Sequence, residues 1–176
     1  MKGRTTWGSH PHPDSSHPGD RSVSCGILTI SDTRTQDTDL SGRFLRNKLV
    51  EQGHQVTSYC LLPDQPDDIE GYLRELAEDK RIEALICTGG TGIAARDVTY
   101  DVVARLFEKE LPGFGELFRM LSYPEVGSRA IASRATAGVY QQMLIFILPG
   151  SLNAVTLATE QLILPELRHL TQLLRS

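Results

Sequence analysis

Two spacings of apolar residues alternate along the chain. Residues 23 to 31, VSCGILTIS, are a nearly unbroken run of apolar and β-branched side chains, which predicts a strand buried on both faces. Residues 40 to 52 place Leu40, Phe44, Leu45 and Leu49 on one side of a helix, with Gly53 as its stop. HQVTSYCLL then alternates as a strand, PDDIEGYLRELAED puts Ile69, Tyr72, Leu73, Leu76 and Ala77 at helical spacing, and EALICT is a short central strand. A third helix follows, turning Val102, Val103, Leu106 and Phe107 inward, and a fourth begins near Gly113 and carries Phe114, Leu117, Phe118 and Leu121. RATAGVY and MLIFILPG predict two strands joined by Gln141 and Gln142, a hairpin. SLNAVTLATEQLI is a helix starting directly after PGS, and Pro165 opens the last one.

Strand and helix in alternation build an α/β domain with a mostly parallel sheet, covered by helices on both faces, to which the hairpin adds an antiparallel part. A chain of 176 residues holds one such core and not two. Residues 23–176 form this domain. Residues 1 to 22, rich in Pro, Ser, His and Gly, bury too little apolar surface to fold and are expected to be a flexible extension. His10, His12 and His17 in that extension are read as solvated rather than as a metal site.

Composition narrows the partners. The formal charge of -4 gives no broad attraction to phosphate backbones, so nucleic acid is not expected. MLIFILPG is too short to span a bilayer, and the N-terminus lacks the apolar centre of a secretory signal, so a cytoplasmic protein without a membrane partner is expected. Cys25, Cys60 and Cys87 are widely spaced inside apolar segments and read as reduced core thiols.

The candidate chemistry lies at strand ends. TGGTG, from Thr88 to Gly92, follows the third strand, and glycines let main-chain N–H groups approach an anion with no Cβ in the way. No Lys-Ser/Thr pair follows, and the spacing is not that of a dinucleotide loop. The first strand ends in SDTRT, with Ser31 and Asp32, the second in LLPD, with Asp64, and Asp97 comes a few residues after the glycines. If the strands are parallel, these carboxylates share one rim. Paired carboxylates beside a phosphate-friendly loop point to Mg²⁺, which takes one or two carboxylates with phosphate oxygens and water. With no His, Lys or Cys in these loops to act as a nucleophile, the chemistry hinted at is positioning and charge neutralisation on phosphate. LPGS adds Pro149, Gly150 and Ser151 at a helix start, a second place for negative charge.

LTISD, TGGTG, RDVT, PGFGE, the pair Ser133 and Arg134, and LPGS, in that order, resemble the MoaB/Mog family of molybdenum cofactor biosynthesis proteins, and most of all its MoaB branch. The resemblance covers about residues 23 to 176. It implies a three-layer αβα sandwich, assembled as a homo-oligomer (trimer or hexamer), that binds molybdopterin. In catalytic members ATP and Mg²⁺ serve to adenylylate the terminal phosphate of molybdopterin with release of pyrophosphate; the alternative is a non-catalytic molybdopterin-binding or carrier protein. By the family pattern Asp64 and Asp97 are the catalytic and Mg²⁺-binding residues. Ser31, Asp32, Thr88, Gly89, Gly90, Thr91, Gly92, Glu116, Pro149, Gly150 and Ser151 are expected to contact substrate. Tyr100 stands where the family usually has proline, a change that should loosen the turn carrying Asp97.

Overall fold

The computed structural model describes residues 21–176; residues 1–20 of the expected flexible extension, with His10, His12 and His17, lie outside the described residues, whereas Arg21 near its end is tied to the domain, pairing with Glu83 and accepting the Arg168 Nε–H at its carbonyl. One six-stranded sheet forms the middle layer. β1 (Ser24–Ile30) pairs in parallel with β2 (Gln55–Leu62) on one side and with β3 (Ala84–Thr88) on the other. The two-residue β4 (Lys109–Glu110) pairs antiparallel with β5 (Thr136–Tyr140), which in turn pairs antiparallel with β6 (Met143–Leu148). β6 closes the sheet by running parallel to β3, giving the order β2-β1-β3-β6-β5-β4.

Adjacent residues of each central strand point to opposite faces, so both faces of the sheet are apolar. Ile27, Ile86 and Phe146 pack under α1 (Leu40–Glu51), α4 (Pro112–Val126), α5 (Leu152–Ala158) and α6 (Leu164–Leu173), through Leu45, Leu49, Phe118, Val155 and Leu167. Leu28, Leu85 and Ile145 pack under α2 (Pro66–Glu78) and α3 (Thr99–Leu106), through Ile69, Leu73, Val102 and Val103. The result is the three-layer αβα sandwich with a mixed sheet.

Several details depart from the pattern. Leu40 and Leu117 face solvent although their neighbours Leu45 and Phe118 are buried, because the apolar stripe of each helix is narrower than its apolar content. β4 is too short to show any period. A 3₁₀ turn (Gly127–Ala132) follows α4 after Gly127, whose φ of 60° ends the helix. The two last helices are not separate: α5 runs through a π turn (Thr159–Ile163) into α6, with Pro165 at the start of α6. Pro165 cannot donate to the turn before it, and the widened turn is where the ladder shifts. Cys25 and Cys87 are buried, and burial raises both thiols, Cys25 to about 12; Cys60 is half-buried. The hairpin turn places Gln141 (φ 47°) and Gln142 (φ 68°) in the left-handed region, the geometry a two-residue turn needs even without glycine. Among the described residues no helix is long and apolar enough to cross a membrane.

Candidate functional site

Because β1, β2, β3 and β6 are parallel, their C-terminal residues Ile30, Leu62, Thr88 and Leu148 end side by side, and the loops that follow make one rim. The chain leaves β1 toward β2 in one direction and reaches β3 in the other, so the β1/β3 gap is the switch point where such sheets take ligands. Gly89 (φ 95°) sits in that gap with its Cα against the Ile30 carbonyl, an approach that any Cβ would block. Gly89 donates its N–H to the Leu148 carbonyl at 3.1 Å. The N–H groups of Gly90, Thr91 and Gly92 meet no acceptor among the described residues, leaving consecutive donors at the rim.

The two expected catalytic carboxylates flank this loop. A Cβ on Gly90 (φ 60°) would lie 2.7 Å from Asp64 Oδ2, and one on Gly92 would lie 2.5 Å from Asp97 Oδ2. Asp64 Oδ1 accepts the Val98 N–H at 3.3 Å, and Asp97 Oδ2 accepts the Ala94 N–H at 3.1 Å. Burial, with a smaller push from the charge of Asp97, holds the Asp64 carboxyl above its ordinary value despite the bond from Val98. Asp32 braces the pair: its Oδ1 accepts the Asp64 N–H at 3.0 Å while its carboxylate pairs with Arg96. Ser31 Oγ accepts the N–H groups of Thr33 and Arg34, which shapes the turn out of β1.

Other expected site residues spread further. Thr88 is buried and donates to Thr29 Oγ1 at 3.4 Å, so its hydroxyl faces into the sheet rather than the rim. Thr91 is buried as well, at the edge of the loop. Pro149 and Ser151 line a 530 Å³ groove between α4 and α5, and Ser151 caps α5 by accepting the Ala154 N–H at 3.3 Å. Gly150 packs on Gly89, with a notional Cβ 3.2 Å from the Gly89 Cα. Glu116 is not beside Asp64; it lines a separate 250 Å³ pocket with Tyr100, Arg119 and Arg134.

Two arginines stand at the site that were not among the expected site residues. Arg34 donates to the Gly150 carbonyl at 2.9 Å and is held 3.7 Å from Asp39, so a cation lies where the β1 and β6 loops meet. Burial alone would raise the Asp39 carboxyl, yet bonds from Thr29, Gly42 and Tyr59 and the charge of Arg34 keep it below its ordinary value. It therefore stays an anion for Arg34. Arg134 crosses from the segment before β5 to the glycine loop. An arginine among strand-end polar residues was the visible signal for Arg34; Arg134 gave none beyond its place in a motif, since the contact joins distant parts of the chain.

The arrangement fits a hard divalent cation bound together with phosphate. Asp64 and Asp97 have no basic partner among the described residues, and the Thr99 hydroxyl, fully buried beside Gly90 and Asp64, has no hydrogen-bond partner. No group of three or more His, Cys, Asp or Glu residues is poised to hold a metal among the described residues. A cation that shares two carboxylates with phosphate oxygens and water needs no such group.

Residues 26–169 match the family model described as "Probable molybdopterin binding domain". The chain is 49% identical over 154 residues to molybdenum cofactor biosynthesis protein B of Bacillus subtilis (strain 168), covering 87% of this chain and 91% of that one. It superposes on the crystal structure of a molybdenum cofactor biosynthesis protein B with a TM-score of 0.86 at 46% identity, covering 89% of this chain and 98% of the other. The tungsten cofactor synthesizing protein MoaB from Pyrococcus furiosus matches at a TM-score of 0.79 and 35% identity, over 89% and 99% of the two chains. On sequence and fold alike, the chain belongs to the molybdopterin-binding family of molybdenum cofactor biosynthesis proteins, in its MoaB branch.

Proposed function

We propose that the chain acts in molybdenum cofactor biosynthesis as a molybdopterin adenylyltransferase, joining AMP from ATP to the terminal phosphate of molybdopterin and releasing pyrophosphate. The observation that carries this reading is the pair Asp64 and Asp97 at either end of a glycine loop with free amides. Two like charges held together without a basic partner suit a cation that arrives with its own anion. An ionised phosphate monoester needs no general base to attack the α-phosphorus; the obstacle is bringing two anions into line. Mg²⁺, when bound, supplies charge neutralisation on the phosphate oxygens, with Asp64 and Asp97 as its protein ligands. The amides of Gly90 to Gly92 cradle phosphate, Arg34 offers a positive charge at the β6 loop, and Asp32 fixes the backbone of Asp64.

Incubation with molybdopterin, ATP and Mg²⁺ tests this. Adenylylated molybdopterin and pyrophosphate are expected in equimolar amounts. Asp64→Asn and Asp97→Asn should each lower turnover by about 10²-fold or more, the scale of losing one electrostatic stabiliser, while molybdopterin binding persists. Tight molybdopterin binding by the unsubstituted chain with no product would instead make it a carrier in the same pathway.

We further propose that the chain self-associates through the outer face of α4. Met120, Tyr123 and Val126 on that helix, with Ile131 and Leu152 beside it, form an exposed apolar face next to the 530 Å³ groove.

A further inference from the structure

Arg134 precedes β5, in the half of the sheet that does not carry the acidic pair, and its whole guanidinium is engaged on the other half. Nε donates to the Thr91 carbonyl at 3.2 Å; one terminal nitrogen donates to the Gly92 carbonyl at 2.6 Å and the Asp97 carbonyl at 2.9 Å; the other reaches both Asp101 carboxylate oxygens at 2.9 Å. The guanidinium carbon also lies 4.9 Å from the centre of the Tyr100 ring. One side chain thus binds the loop before Asp97, the main chain of Asp97 itself, and the helix after it. Carbonyls drawn to Arg134 also leave the opposite edge of their peptide planes, the N–H groups, turned away from it.

We propose that Arg134 is the positioning residue of the glycine loop and that Tyr100 and Asp101 form the seat that fixes its guanidinium, so that together they set where Asp97 and the loop amides stand. Rigidity at this turn comes from a planar cation on an aromatic ring rather than from a proline. Lysine cannot replace it, since an ammonium lacks the planar fork that serves carbonyls and a carboxylate at once. Phenylalanine can replace Tyr100, because the ring face and not the hydroxyl carries the contact. This role rests on the adenylyltransferase reading for its consequence in turnover, but the clamp itself does not.

The test follows amide hydrogen exchange by NMR at Ala94, Asp97, Val98 and Thr99, whose N–H groups are all bonded within the loop region, with the β6 amide of Leu144 as reference. Tyr100→Ala should speed exchange at the four loop amides roughly two- to fivefold, the factor a cation–π contact is worth. Arg134→Lys should speed it about tenfold or more. Tyr100→Phe should match the unsubstituted chain, and Leu144 and the thermal midpoint should barely move. In the transfer assay Arg134→Lys should lower kcat at least about tenfold, with a smaller change in the KM for molybdopterin. Unchanged loop exchange in Arg134→Lys, equal acceleration at Leu144, or a loosened loop with undiminished kcat would each overturn the proposal. If the unsubstituted chain binds molybdopterin but makes no product, adenylylation fails as its function. The exchange arm, with the molybdopterin affinity of the same variants in place of kcat, then decides the clamp.

Discussion

At Gly90 the absence of a side chain is a structural requirement. Its φ of 60° alone costs about 1–2 kcal/mol for any residue with a Cβ, and that Cβ would enter the space of Thr99 Oγ1 and of the Asp64 carboxylate. Gly90→Ala must therefore move Asp64 or distort the loop. Gly113, with nothing within 4 Å of a notional Cβ, is the matched control. We expect Gly90→Ala to lower the thermal midpoint and weaken molybdopterin binding at least about tenfold, whereas Gly113→Ala, inside α4, should leave binding unchanged and hold or slightly raise the midpoint; calorimetry and a binding titration read the pair.

Among the elements, α1 and β1 are joined at the opposite end of the sheet by His54. Its N–H donates to Leu49 at the end of α1, and its Nδ1 accepts the Val23 N–H at 3.2 Å just before β1. Burial, and then the charge of Arg168, lower its pKa from 6.5 to about 4. The unfolded chain therefore takes up a proton near pH 6.5 that the folded chain refuses until about pH 4, so the contribution of His54 is whole above pH 6.5 and is lost as the pH falls toward 4. Urea unfolding at pH 7.5 and pH 4.5 should show the unsubstituted chain losing on the order of 2 kcal/mol more than His54→Gln across that interval. Equal losses would remove His54 from the account. Elements of this kind differ in how well the sequence displays them. The parallel strands could be read because burial on both faces leaves an unbroken apolar run, as in β3 and β6. With those strands read, the convergence of Asp64 and Asp97 followed from the connectivity. β4 has two residues and hence no period, the π turn at Thr159–Ile163 looks like ordinary helix in its apolar spacing, and Arg134 acts on residues some forty positions away. Thr88 shows the converse: a threonine in a ligand-like motif whose hydroxyl the sheet itself uses.

For the molecule as a whole, the outer face of α4 is the feature a lone chain does not explain. Met120 is 61% exposed, Tyr123 63% and Ile131 89%, while Phe118 on the same helix is buried. A helix that already buries one stripe in its own core gains nothing from a second apolar stripe unless something covers it. The groove beside this face carries Pro149 and Ser151 on its wall, so a second copy seated on α4 would also bound the ligand rim from outside. Assembly and binding should then fail together. The unsubstituted chain is expected to sediment as a trimer or hexamer, and Met120→Glu with Tyr123→Glu as a monomer with weakened molybdopterin affinity, because two desolvated carboxylates at the centre of an interface cost more than the apolar contacts return. Analytical ultracentrifugation and a molybdopterin titration on the same samples decide it. A monomeric unsubstituted chain would refute self-association through α4. A dispersed double variant with full affinity would show that each subunit completes its rim from its own four loops.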